Sequence, residues 1–228
     1  MRYFSRKLYQ GDGTFAQISL AGSLPTGHLY GLNSSATETG ELEQDLGLHH
    51  QLILEMLAGV RCPTGGAVLI PPYMTVGSVA KEPMFFAGMS LLDNLRYGCG
   101  DHVSEALVWD LCEIVGVQVD VYKQQGSQMH DVIGASTITE LHLMSLVRRM
   151  LCRPDVLVVH NIGALEPTVA ARLGLVLGNY ARGYSLSRLG TRPRKMVASM
   201  GQGAEISLDA PPLVATTTSA PGGAGGPH

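Results

Sequence analysis

The chain has 228 residues, 45% of them hydrophobic, enough for a sizeable buried core. Its net charge of -3 gives no electrostatic ground for a nucleic-acid partner. No apolar run approaches the about 20 residues needed to cross a bilayer, and the opening MRYFSRKLYQGDG lacks the apolar centre of a signal peptide. The expectation is a cytoplasmic chain that meets a membrane only through a partner.

Residues 1–33 read as short β elements. Segments 4–9 and 15–20 flank the turn signal Gly11-Asp12-Gly13, and 28–32 follows Pro25-Thr26-Gly27. Residues 33–39 are small and polar, a loop. Residues 41–58 predict a helix, with Leu42, Leu46, Ile53, Met56 and Leu57 at apolar positions and Gly59 at its end. A strand is expected over 67–70. Residues 91–96 and 104–115 read as helices, the second with Leu107, Leu111 and Ile114 on one stripe.

Residues 139–151 predict another helix. The continuous β-branched run at 155–159 predicts a strand buried on both faces. A helix over 168–180 follows, then candidate strands at 196–199 and 205–208. Residues 210–228 are Pro, Gly, Ala, Thr and Ser with little else apolar, and are expected to stay disordered. Strands alternating with helices point to an α/β layered fold. The widely spaced Cys62, Cys99, Cys112 and Cys152 read as reduced, mostly packed thiols. Adjacent His49 and His50 lack partners at metal-ligand spacing, so no metal site is expected.

Two stretches carry a family pattern: 82–98 (EPMFFAGMSLLDNLRYG) and 148–161 (RRMLCRPDVLVVHN). Both resemble the ATP-binding domain of ABC transporters, the exporter-like branch in particular. Residues 54–66 (LEMLAGVRCPTGG) are similar to the family's first core helix and the turn after it. The resemblance implies an α/β fold of the P-loop NTPase type over residues 1–209, with a helical subdomain and an N-terminal β portion. It also implies ATP and Mg²⁺ held between two such domains, a second ATP-binding domain (homo- or heterodimer) and a transmembrane subunit as partners.

The family's chemical positions are nevertheless altered. Tyr9 matches the aromatic that stacks on adenine; it reads equally as a half-buried tyrosine at a strand end. The P-loop pattern is G-x-x-x-x-G-K-S/T, whose lysine reaches the outer phosphates. No lysine occurs between Lys7 and Lys81. One alignment sets Gly40-Glu41-Leu42 at the G-K-S positions. The other, gapless, sets His49-His50-Gln51 there and keeps only Gly47. Glutamate would repel phosphate, and neutral histidine would add little charge.

Lys81 falls on the Q-loop glutamine, where a cation cannot ligate Mg²⁺; it also reads as a solvated loop lysine. The signature motif falls on residues 136–140, with Thr137 keeping a hydroxyl and Ile138 and Thr139 replacing glycines. The simpler reading is a helix cap closed by Glu140. His160-Asn161 stand where the family has Asp-Glu; imidazole suits hard Mg²⁺ poorly, and an amide cannot act as a base. Glu166 stands for the D-loop aspartate and Met200 for the switch histidine. These replacements imply a non-catalytic structural or regulatory partner, with no cofactor expected. The alternatives are a weak, divergent nucleotide binder using Tyr9 and Lys81, or an ABC ATPase that uses ATP and Mg²⁺ in membrane transport.

Overall fold

A computed structural model describes residues 3–9, 15–21, 26–33, 43–100, 103–120, 122, 128–183, 195–199, 213–214 and 216–220. Strands β1 (Tyr3–Tyr9) and β2 (Phe15–Ala21) form an antiparallel hairpin running from Tyr3 opposite Ala21 to Tyr9 opposite Phe15. β4 (Gly65–Ala67) pairs with the outer side of β1, and β9 (Thr216–Ala220) with the outer side of β2. The resulting sheet has the order β4-β1-β2-β9.

The second sheet is parallel. It contains β3 (Leu29–Asn33), β5 (Val76–Val79), β6 (Val156–Val159), β7 (Lys195–Ser199) and β8 (Leu213–Val214), in the order β5-β6-β7-β3-β8. Side chains alternate faces along a strand, and this sheet buries both faces. Val156 and Val158 of β6, with Tyr30 and Val197, pack on α1 (Glu43–Leu57) through Ile53, Leu54, Met56 and Leu57. Leu157 and Val159, with Leu29 and Ala198, join the opposite core. Burial on both faces is why β6 is apolar without interruption.

The helices α2 (Leu91–Arg96), α3 (Glu105–Val115), α4 (Met129–Ala135), α5 (Ile138–Leu151) and α6 (Pro167–Arg182) contribute to the opposite core. Their ends have local causes. Ser90 Oγ accepts the Asp93 N–H at 3.0 Å at the start of α2, and Ser104 Oγ accepts the Leu107 N–H at 3.3 Å at the start of α3. α3 stops at Gly116, whose φ of 107° suits glycine. Arg172 of α6 donates to the carbonyls of Glu113 (2.7 Å) and Ile114 (3.2 Å), placing a cation at the negative end of α3.

The structure departs from the sequence expectations at four places. The strand expected at 67–70 is instead β4, three residues at Gly65–Ala67. Its glycines pair with β1, and the chain leaves the ladder before Pro71-Pro72, which offer no N–H. β5 was not expected, because Gly77 and Ser78 interrupt its apolar pattern. Gly77 has a packing cause: a Cβ there would meet Pro154 Cγ at 2.9 Å. Helix α4 was also not expected. Finally, β8 and β9 lie within the stretch expected to be disordered. Thr216, Thr217 and Thr218 are β-branched and suit a strand once β2 offers its free edge. The candidate strand at 205–208 lies outside the described residues.

Candidate functional site

β3, β5, β6 and β7 run parallel, so their C-terminal ends share one rim of the sheet. The crevice outside the carboxyl ends of parallel strands is the usual ligand site of open α/β sheets. Among the described residues, those that leave this rim follow β5 and β6.

His160 is the first residue beyond β6, and its N–H continues the ladder by donating to the Val79 carbonyl at 3.1 Å. It is 8% exposed. Burial pushes its pKa below the ordinary histidine value, and the Glu55 carboxylate on α1 partly opposes this. A neutral imidazole therefore stands at the tip of β6. Glu55 itself is engaged: its carboxylate accepts from Gln51 Nε2 at 2.8 Å and pairs with the Arg61 guanidinium.

Asn161 is half-buried and left-handed, with φ 65°, a conformation asparagine tolerates better than most residues. It opens the short 3₁₀ turn Ile162–Ala164. Glu166 follows as the exposed N-cap of α6, makes no side-chain cap, and is succeeded by Pro167 at N1.

Lys81 lies two residues past β5 and is exposed. Beyond it, Asn94 of α2 holds the 82–88 segment. Its Oδ1 accepts the Phe86 N–H at 2.8 Å, and its Nδ2 donates to the carbonyls of Phe86 (3.0 Å) and Ser90 (3.1 Å). Asn94 is fully buried, so these bonds satisfy an amide that would otherwise be costly. With that backbone pinned, Met84, Phe86 and Tyr97 are 77%, 48% and 53% exposed. The Phe86 and Tyr97 rings sit 4.7 Å apart. Phe85 turns inward instead and receives the Arg148 guanidinium at 5.1 Å from its ring centroid.

Thr137, Ile138 and Thr139 open α5. Thr137 Oγ1 accepts the Glu140 N–H at 3.2 Å, and Glu140 Oε2 accepts the Thr137 N–H at 2.9 Å, a reciprocal capping box. The Ile138 side chain is 66% exposed. The local capping reading of these residues is what the structure contains.

The remaining predicted positions separate clearly. Gly47 and His50 lie inside α1, and His50 is buried. The gapless alignment would need residues 44–51 to be a strand-to-helix loop, and they are helical. Gly40, Glu41 and Met200 lie outside the described residues. Tyr9 is the last residue of β1, in the other sheet, and its side chain is not described. Asn94 and Glu55 were not singled out by sequence reasoning. An Asn in the apolar run LLDNLR was a signal for the first; Glu55 carried none.

No family model matches the chain, and no curated protein matches it. Solved structures do. CbiO1 from Clostridium perfringens, part of the ABC transporter complex CbiONQ, superposes with a TM-score of 0.54 at 14% identity, over 89% of this chain and 80% of that one. This chain has the fold of an ABC ATP-binding domain. A second match is to the complex of the archaeal ribosomal stalk protein aP1 with the archaeal ribosome recycling factor aABCE1. It has a TM-score of 0.51 at 16% identity, over 78% of this chain. Here the chain spans 30% of the length of the matched protein.

In this ABC-type fold the rim of the parallel sheet is occupied, among the described residues, by a neutral buried imidazole, an amide and an exposed lysine. That set can donate hydrogen bonds and one positive charge. Among the described residues no group of three or more His, Cys, Asp or Glu could hold a metal ion. The residues at the β6 tip do not make the oxygen-rich donor set that Mg²⁺ prefers.

Proposed function

We propose that this chain is an ABC-type ATP-binding domain without the family's catalytic groups, acting as a structural or regulatory partner of a transporter or of an active ABC subunit. One observation carries the reading. At the tip of β6, where phosphoryl transfer in such domains requires a metal-holding carboxylate and a water-polarising one, stand a buried neutral His160 and a left-handed Asn161. The absence of any lysine between Lys7 and Lys81 adds to it, since no alignment of the P-loop then supplies its phosphate-binding cation. Catalysis of this kind rests on positioning and electrostatic stabilisation, so losing metal, lysine and base together removes most of it.

Meanwhile the surface that a partner would use is well formed. Phe86 and Tyr97 make an exposed aromatic pair, with the Phe86 backbone held by Asn94, and Met84 is exposed two residues before Phe86. Such a group suits contact with another subunit, either a transmembrane one or a second ATP-binding domain. Membrane association then comes through that partner; no described helix is long and apolar enough to cross a membrane.

The test is calorimetric titration of the purified chain with ATP, with and without Mg²⁺, beside a hydrolysis assay. The expected result is no Mg²⁺-dependent hydrolysis and no binding tighter than about millimolar. Binding without hydrolysis, weakened by Tyr9→Ala, would replace this reading with that of a divergent nucleotide-binding regulator. Hydrolysis dependent on Mg²⁺ would overturn it.

A further inference from the structure

Cys99 and Cys152 are 53 positions apart in the chain, yet their Sγ atoms stand 2.8 Å from each other. The fold brings them together for identifiable reasons. Cys99 follows the end of α2, in a turn between Gly98 and Gly100, both left-handed at φ 81° and 77°. Cys152 is the C-cap of α5, and α2 and α5 pack together. Both thiols point at one acceptor, the Arg148 carbonyl, at 3.5 Å from Cys99 Sγ and 3.3 Å from Cys152 Sγ.

The two sulfurs are not equivalent. Cys99 is buried, while Cys152 is only half-buried. The hydrogen bond from Cys99 brings the Cys152 thiol down to about 7, and the charges of Arg149 and Arg148 act in the same direction against its burial. Cys99 is pushed the other way, well above the thiol range, by the same hydrogen bond and by burial. This is the asymmetry of an attacking thiolate and a resolving thiol.

We propose that Cys99 and Cys152 form a reversible thiol–disulfide site whose oxidant is a small-molecule disulfide of the glutathione class. The Cys152 thiolate attacks one sulfur of the oxidant. The oxidant's S–S bond breaks, one thiolate leaves and takes up a proton, and a mixed disulfide remains on Cys152. Cys99 then gives its proton to solvent and attacks Cys152 Sγ, expelling the second small thiol. Two protein thiols are oxidised to one disulfide, and one disulfide is reduced to two thiols. Closure ties the turn after α2, which carries the exposed Tyr97, to the end of α5, which leads into β6 and His160. The inference stands apart from whether the chain binds nucleotide, since none of the rim residues takes part.

The test uses the full chain carrying Cys62→Ser, which removes the exposed thiol, equilibrated with oxidised glutathione and mapped under non-reducing conditions. Two thiols per chain should disappear with a mass loss of about 2 Da, the two hydrogens of one disulfide. One cross-linked peptide should contain Cys99 and Cys152, dithiothreitol should reverse it, and Cys112 should remain a thiol. Adding Cys99→Ser should stop the reaction at a mixed disulfide on Cys152, whereas Cys152→Ser should prevent any reaction. No loss of thiols, a mixed disulfide that persists on Cys152 with Cys99 present, or a cross-link through Cys112 would each overturn the proposal.

Discussion

His142 illustrates what burial does to a single residue. It lies on α5, 7% exposed, with neither ring nitrogen hydrogen-bonded. Burial lowers its pKa below the ordinary histidine value of 6.5. The unfolded chain therefore binds a proton at higher pH than the folded chain does. The sign follows: this contribution to stability is present above the unfolded value and is lost as the pH falls below it. His160, also lowered by burial, acts in the same sense. Urea midpoints should therefore drop between about pH 7 and about pH 5. His142→Leu should flatten that drop and raise stability by about 1 kcal/mol, by removing two unsatisfied polar atoms. An unchanged pH slope in the variant would show that His142 does not supply it. At this scale His160 and Asn161, just past the apolar run 156–159, could be read directly from the chain. The influence of the Glu55 carboxylate on His160 and the meeting of Cys99 with Cys152 could not, because both depend on distant elements meeting in space.

The helices were the most legible elements, and the reason is local chemistry. Ser104, Thr137 and Gly116 sit at helix ends because hydroxyls satisfy free N–H groups and glycine accepts a left-handed turn. The capping box at α5 can be tested alone. Thr137→Ala should cost about 1 kcal/mol in urea denaturation with the slope unchanged. A cost near zero would mean that packing of α5, rather than its cap, holds the first turn. The strands were less legible. β5 is four residues, VGSV, with no clear alternation, and Thr75 anchors it to the start of β6: the Thr75 N–H and hydroxyl both donate to Asp155 Oδ2, at 2.9 and 3.1 Å. β9 needed a partner strand before its threonines meant anything.

For the molecule as a whole, β6 is an interior strand between the two cores. It pairs with β5 on one side and β7 on the other, and all four of its residues are buried. Its amides can exchange only when the two cores on its faces separate, so they should be the slowest to exchange in hydrogen-exchange mass spectrometry. Slower exchange in the β1–β2 hairpin would place the cooperative centre in the other sheet instead. Local pattern alone was enough for the α/β class, the buried β6 run and the capped helices, because each depends on residue type and short-range spacing. The strand order, the shared rim, the entry of β8 and β9 into the sheets and the meeting of Cys99 with Cys152 depend on contacts between distant segments. No residue carries that information by itself, because the free energy of such contacts exists only after the layers have packed.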